Sequence, residues 1–354
     1  MAKNLTYHQE TDLKNTLKLR EILSTLPPFA KDYFRAIEPT TSTRTRISYA
    51  YDIRVFFYFL LQENPAFRGK SMQDVTVDVL DRIQSVDLEE YQEFLKAYQD
   101  PSGQDKCITN GERGLKRKMS ALRSFYAYYF KRQLIHSNPT LLVDMPKLHE
   151  KTITRLDADE TSMLLDYIEH CGDTLTGQKK RYWEKTKLRD LAIVTLLLGT
   201  GIRVSECVGL DVEDIDFKNN GIRLVRKGGN EMKVYFGEEV EKALKEYLEE
   251  RKAITPVAGH EHALFYSTHR KRIGIQAVEN LVKKYARAIT TTKKITPHKL
   301  RSTYGTTLYQ ETGDIYLVAD VLGHKDVNTT KKHYAAMDEE RRRQAAKAVK
   351  LREG

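Results

Sequence analysis

Four separated segments carry the residue types that could act together on an anion. The first is Gly199-Thr200-Gly201-Ile202-Arg203-Val204-Ser205-Glu206, where an apolar run ends in glycine and delivers an arginine with a glutamate three residues on. The second is the turn Lys227-Gly228-Gly229. The third is Thr296-Pro297-His298-Lys299-Leu300-Arg301. Pro297 there suits the first turn of a helix, and His298 and Arg301 fall three apart on one face. The fourth is Leu322-Gly323-His324, with Tyr334 following later in Thr329-Thr330-Lys331-Lys332-His333-Tyr334. Arginine offers planar, bidentate donors and stays charged. A phenol, with a pKa of about 10, is a poor nucleophile unless assisted. Taken singly, each segment has an ordinary explanation: a solvated arginine, a plain turn, a satisfied histidine, one tyrosine among 20. The joint order of two arginines, a lysine, two histidines and a late tyrosine is what carries weight.

These groups need elements to position them. Leu188 to Thr200 reads as an apolar helix closed by Gly201. Strand signals follow at 214–217, 222–226 and 232–236, separated by the turns Asn219-Asn220-Gly221 and 227–230, and predict a small three-stranded antiparallel sheet. Helices are expected at 158–170, 238–252, 275–290, 298–311, 314–322, 328–334 and 338–350, while the polar stretch 172–187 reads as a long loop. Upstream, Ser42 to Leu61 repeats apolar residues at three- and four-residue steps (Ile47, Tyr51, Val55, Tyr58, Phe59). Two helical stretches are expected within 73–98. A further helix carries Leu115, Met119, Leu122, Phe125, Tyr126 and Tyr129, with Arg113, Lys116, Arg117 and Arg123 on its outward side. The division expected is a short extension or helix at 1–28, a basic all-helical domain at 29–138, a Pro-containing linker at 139–154 and a second domain at 155–354.

Composition narrows the partner. The 354 residues include 59 Lys plus Arg against 49 Asp plus Glu, a net charge of +10, which points to a polyanion. No apolar run approaches the ~20 residues that span a bilayer, and no secretory leader is read, so a membrane partner is not expected. Cys107, Cys171 and Cys207 are odd in number and widely spaced, which favours a reducing cytoplasm over disulfides or a zinc site.

The four segments resemble the tyrosine recombinase (phage integrase) family, and within it the bacterial Xer site-specific recombinases. The family's ordered Arg, Lys, His-x-x-Arg, His or Trp, Tyr set falls on Arg203, Lys227, His298, Arg301, His324 and Tyr334. The Gly-x-Arg-x-Ser-Glu and Leu-Gly-His boxes match as well. The likeness is strong over 155–340 and weaker over 40–140. Two positions depart from the pattern. Ser302 stands where a histidine usually follows the second arginine, and Tyr334-Ala335-Ala336 lacks the usual histidine two residues after the tyrosine. Neither removes a core group.

The resemblance implies a mainly α fold with a small antiparallel sheet, built as a two-domain, C-shaped DNA clamp. The substrate is then a phosphodiester whose attack adds negative charge, which fixed donors stabilise. Tyr334 would attack and form a 3′-phosphotyrosine, Arg203 and Arg301 would hold the phosphate, and His298 and His324 would complete the donor shell. His298 would also take the phenol proton, and Lys227 would protonate the departing 5′-hydroxyl. Glu206 reads as a brace for Arg203 or His298. Because the covalent bond keeps the phosphodiester's energy, no cofactor, ATP or metal is expected. The sequence shows neither a G-x-x-x-x-G-K-[ST] loop nor clustered carboxylates for two metals. DNA contacts are expected from Thr41, Thr43, Arg44, Arg46, Lys116, Lys118 and Arg123, and from Lys179, Lys180 and Arg181; a solvated face is the competing explanation for each. The resemblance further implies a homotetramer on two duplexes, joined by a C-terminal helix bearing Ala345, Ala348 and Val349, in the cytoplasm beside the nucleoid. Chromosome dimer resolution, with an activating division protein, is the expected role. A mobile-element integrase or transposase is the runner-up, and a type IB topoisomerase or a non-catalytic DNA-binding protein are the rivals.

Overall fold

A computed structural model describes residues 6–100, 106–149, 154–226, 231–324 and 327. The chain divides into two compact units, Met1–Lys151 and Thr152–Gly354. In the first, α1 (Tyr7–Leu23) starts at Thr6, which exchanges capping hydrogen bonds with Gln9. Then come α2 (Ala30–Ala36), α3 (Thr43–Gln62), α4 (Val79–Arg82), α5 (Ser85–Phe94), the strand pair β1 (Ala97–Gln99) and β2 (Cys107–Thr109), and α6 (Glu112–Lys131). The Ser42 side chain caps α3 by accepting from the Thr45 amide. Along α3, Ala50, Ile53, Phe56, Phe57 and Leu60 recur at helical spacing and are all buried. They meet Met119, Leu122, Phe125, Tyr126 and Tyr129 of α6. Edge-on rings knit the contact: Phe57–Phe125 at 6.0 Å and Tyr33–Phe125 at 5.1 Å between centroids. Each such pair adds about 0.5–1.5 kcal/mol beyond the area it buries.

The stretch read as a short extension or helix forms α1, whose Leu19 and Ile22 are buried in the core together with Leu26. Two other features of this unit differ from expectation. The unit is not all-helical, since Ala97–Gln99 pairs antiparallel with Cys107–Thr109. Of the stretch read as linker, Thr140 and Val143 pack onto this unit, and Arg123 ties them down by donating to the Thr140 carbonyl at 3.1 Å and the Val143 carbonyl at 2.6 Å. A long side chain that satisfies turn carbonyls is spent on structure, so Arg123 is not an outward DNA contact.

One buried acid organises the α3–α6 seam. Asp52 is 1% exposed and accepts from the Lys118 ammonium at 3.0 Å and from Arg117. Burial raises the Asp52 carboxyl's pKa against the downward pull of Lys118 and Arg117. Lys118 is itself buried, so its assignment to DNA is also corrected. A lysine goes inside only where a counter-charge waits.

The second unit contains α7 (Ala158–His170), α8 (Gly177–Glu184), α9 (Lys187–Thr200), α10 (Val204–Gly209), β3 (Ile215–Asp216), β4 (Gly221–Val225), β5 (Glu231–Tyr235), α11 (Glu238–Lys252), α12 (Ile275–Ile289), α13 (Pro297–Thr312) and α14 (Ile315–Leu322). Helix α9 is apolar nearly all round, and Leu191 to Leu197 are buried without a break. Such a helix belongs at the centre of a domain, and α7, α11 and α13 pack against it. The sheet is antiparallel in the order β3-β4-β5, with Ile222 opposite Val234 and Leu224 opposite Met232. The stretch expected as a loop at 172–187 contains α8. Its one buried residue, Trp183, donates to the Ile168 carbonyl at 2.9 Å, which anchors an otherwise exposed polar helix. Burial pushes the Cys207 thiol up to about 12, so it is an unreactive core residue. No helix among the described residues is long and apolar enough to cross a membrane. The helices expected at 328–334 and 338–350 lie outside the described residues.

Replacing Asp52 with alanine strands a buried ammonium, and such removals cost about 3 kcal/mol or more. The expected result for Asp52→Ala is a loss of that size from the first unit's stability, read from its denaturant midpoint. A loss below about 1 kcal/mol would mean that Lys118 reaches water without its partner.

Candidate active site

The site is built on the way α14 ends. Gly323 has φ +61° and ψ +49°, a left-handed conformation that glycine adopts without strain. Its amide bonds back to the Asp320 carbonyl at 2.7 Å, and the His324 amide to the Ala319 carbonyl at 2.9 Å. This is a Schellman closure, and it is the physical content of the Leu-Gly-His box. It satisfies two of the carbonyls left over at the helix end.

The next three carbonyls each accept from a different arginine. Arg226 Nη2 donates to Val321 at 2.9 Å, Arg301 Nη2 donates to Leu322, and Arg203 Nη2 approaches Gly323 at 3.4 Å. The negative end of a helix favours cations, and here three guanidiniums arrive from three elements. Arg203 enters from the bend between α9 and α10. Gly201 closes α9 at φ +62°, and a Cβ there would lie 2.4 Å from the Tyr304 ring, so the backbone and the packing both select glycine. Arg203 then stands at the start of α10. Its amide donates to Glu206 Oε2 at 2.7 Å and its Nη1 to Glu206 Oε1 at 2.9 Å. Glu206 thus accepts from both the backbone and the side chain of Arg203. The Arg203 side chain keeps 42% of its surface open.

Arg301 enters from the second turn of α13, which begins with Pro297. It is 4% exposed, and its Nη1 donates to the Gly201 carbonyl at 2.5 Å. Both terminal nitrogens thus hold backbone, joining the end of α9 to the end of α14. His298 stands one turn earlier on α13 with an exposed side chain, and His324 is half-buried just past α14. Lys227 and Tyr334 lie outside the described residues.

Arg226 is the group that sequence reading missed. It lies one residue beyond β4, where Ile222 and Leu224 are buried and Arg223 and Val225 point out. Period-two alternation places residue 226 on the inner face, and that signal was available. Its side chain is 10% exposed, with Nε 3.8 Å from Glu206 Oε1. Burial, joined by the nearby Arg203 charge, pulls its pKa below the usual arginine value, and Glu206 opposes the shift.

The residues expected on DNA are mixed in character. Arg44 is exposed in the first turn of α3, Lys116 is half-buried on α6, and Lys179, Lys180 and Arg181 are exposed on α8. The Thr41 hydroxyl donates to Ile37, and the Thr43 hydroxyl to Asp12 at 2.9 Å. Arg46 pairs with Glu38 at 3.3 Å with only 11% of its side chain open. A cavity of about 990 Å³ between α8, α11 and residues 266–270 is lined by none of Arg203, His298, Arg301 and His324, the catalytic candidates among the described residues. Among the described residues, no group of three or more His, Cys, Asp or Glu is placed to hold a metal ion.

Known proteins share this sequence and fold. The phage integrase family profile matches residues 154–341. Tyrosine recombinase XerC of Caldanaerobacter subterraneus subsp. tengcongensis is 34% identical over 334 residues, which are 90% of this chain and 86% of that protein. Tyrosine recombinase XerS of Lactococcus lactis subsp. cremoris is 29% identical over 94% of this chain and 98% of its own length. Among solved structures, XerH site-specific recombinase bound to a palindromic difH substrate, a post-cleavage complex, superposes with a TM-score of 0.63. It is 21% identical over 86% of this chain and 80% of that one, a likeness of fold. The chain belongs to the phage integrase family and is a site-specific tyrosine recombinase, an enzyme that cleaves DNA and transfers its strands.

Proposed function

We propose that this recombinase cuts each strand of a specific duplex site with the Tyr334 hydroxyl. The oxygen attacks phosphorus, the bond to the 5′ oxygen breaks, and a 3′-phosphotyrosine remains. His298 takes the phenolic proton, and Lys227 gives a proton to the departing 5′ oxygen. Rejoining runs the same steps backward with a new 5′-hydroxyl. The observation that supports this reading most is the arrival of Arg203 and Arg301 at adjacent carbonyls of one helix end, one residue before His324. Arg203, with its open edge, meets the non-bridging oxygens. Arg301, buried behind it, adds fixed positive charge from below. Charge that is already in place when the phosphorane forms costs no reorganisation.

Arg44, Lys116, Lys179, Lys180 and Arg181 supply phosphate contacts, supported by their positions on helix surfaces and by the net charge of +10. The first unit serves as the core-binding domain and the second as the catalytic domain. Four protomers act on two duplexes through the helix expected at 338–350. Chromosome dimer resolution in the bacterial cytoplasm, beside the nucleoid and triggered by a division protein, is the role we favour. The full-length likeness to proteins named XerC and XerS supports it. The free thiols of Cys107, Cys171 and Cys207 fit a reducing compartment.

On a nicked duplex that traps the cleaved state, Tyr334→Phe is expected to abolish the covalent adduct while duplex affinity stays within about twofold. An adduct yield equal to wild type would remove Tyr334 from its role. Mixing two differently marked duplexes should yield exchanged partners, whereas relaxation of supercoils without exchange would indicate a topoisomerase.

Salt dependence separates surface cations from internal ones. Arg44→Ala and Lys116→Ala should each lower the log–log slope of affinity against salt by about one. Lys118→Met and Arg123→Ala should instead lower stability and leave that slope unchanged. The opposite pattern would return Lys118 and Arg123 to the DNA surface.

A further inference from the structure

Arg226 sits among the proposed catalytic groups without a place in the set Arg203, Lys227, His298, Arg301, His324 and Tyr334. Burying a guanidinium is costly unless it is paired and hydrogen-bonded. Here the return is visible only in part. Nη2 is spent on the Val321 carbonyl, Nε faces Glu206 Oε1 at 3.8 Å, and Nε has no hydrogen-bond partner among the described residues. A residue that only filled space beside Ile222 and Leu224 would be apolar. The contact also constrains its surroundings. A Cβ on residue 323 would fall 1.4 Å from Arg226 Nη1, so Arg226 reinforces the need for glycine in the turn that leads to His324.

Glu206 is 5% exposed at its side chain and lies between two cations. It accepts Arg203 Nη1 at 2.9 Å and faces Arg226 Nε. With both present, the carboxylate's charge is shared. With Arg226 removed, Glu206 would have one cation left, and the attraction would draw Arg203 inward, away from its open edge. We infer that Arg226 is a further positioning residue for strand cleavage, acting through Glu206 and the α14 end to hold the Arg203 guanidinium toward the reacting phosphate. This rests on Arg203 meeting that phosphate. At 10% exposure, Arg226 itself is not placed as a DNA contact.

The test compares covalent adduct formation by the full chain on two nicked duplexes. One has a natural phosphodiester at the scissile position, and the other a methylphosphonate. The neutral methyl group replaces one charged oxygen, so any group that works by holding an arginine on that oxygen matters less there. Arg226→Met should slow adduct formation at saturating phosphodiester DNA by about tenfold or more. Its affinity for duplex should stay within about twofold. The deficit should shrink on the methylphosphonate, as should that of Arg203→Ala, and Arg226→Lys should recover part of the rate. Equal deficits on both linkages, or none, would overturn the inference. A normal rate for Arg203→Ala would overturn the reading beneath it. If Arg226→Met does not fold, Arg226→Lys decides alone: a deficit confined to the phosphodiester supports the inference, and normal or equally slow cleavage on both linkages overturns it.

Discussion

The candidate site depends on how one short helix stops. The last carbonyls of α14 point along the axis with no amide to receive, and their summed dipole is negative. Water would satisfy them at a surface. Here Arg226, Arg301 and Arg203 do so instead. Three like charges brought together repel, and Glu206 together with the carbonyl dipoles offsets that repulsion. The same geometry that satisfies the helix end thus builds a region of positive potential facing the open edge of Arg203. In the proposed reaction, a phosphate entering there would meet charge that has been assembled and held by folding.

The scaffold explains why the arrangement can be stiff. Arg301 joins the carbonyl that closes α9 to the one that closes α14. Because α9 is buried on all sides, its C-terminal glycine is fixed by the packing of α7, α11 and α13 around it. The placement of Arg203 is inherited from a core that cannot shift without opening voids. Glycines at 201 and 323 act at the two ends of this chain of contacts, one where α9 must stop sharply and one where the chain must turn past Arg226.

Much of the site could be read in the residues themselves. Gly201, Pro297 and Gly323 mark helix ends, and the groups beside them (Arg203, His298 with Arg301, His324) follow in fixed local settings. The Glu206 brace was legible because a carboxylate three residues after an arginine at a helix start can reach back to it. The two misplaced cations share a cause: charged residues were read as facing water. Lys118 and Arg123 are internal because of partners 66 and 17–20 residues away, which no local pattern reveals. One clue was present. Asp52 lies one turn before Phe56 on the buried face of α3, and an acid on an apolar face calls for a cation. Helix α8 was missed because its single apolar anchor, Trp183, gives no period. The β1–β2 pair is too short to show alternation above the noise of a turn.

The buried charges have a bearing on handling the protein. Among the described residues, those buried are Lys118, Arg189 and Arg301 on one side and Asp52, Asp190 and Glu206 on the other. They cancel, with Arg226, 10% exposed at its side chain, at their edge. Exposed cations such as Arg44, Lys179, Lys180 and Arg181 are screened by dissolved ions, while the inner pairs are screened far less. Concentrated salt should therefore strip co-purifying nucleic acid from this enzyme without loosening the fold beneath.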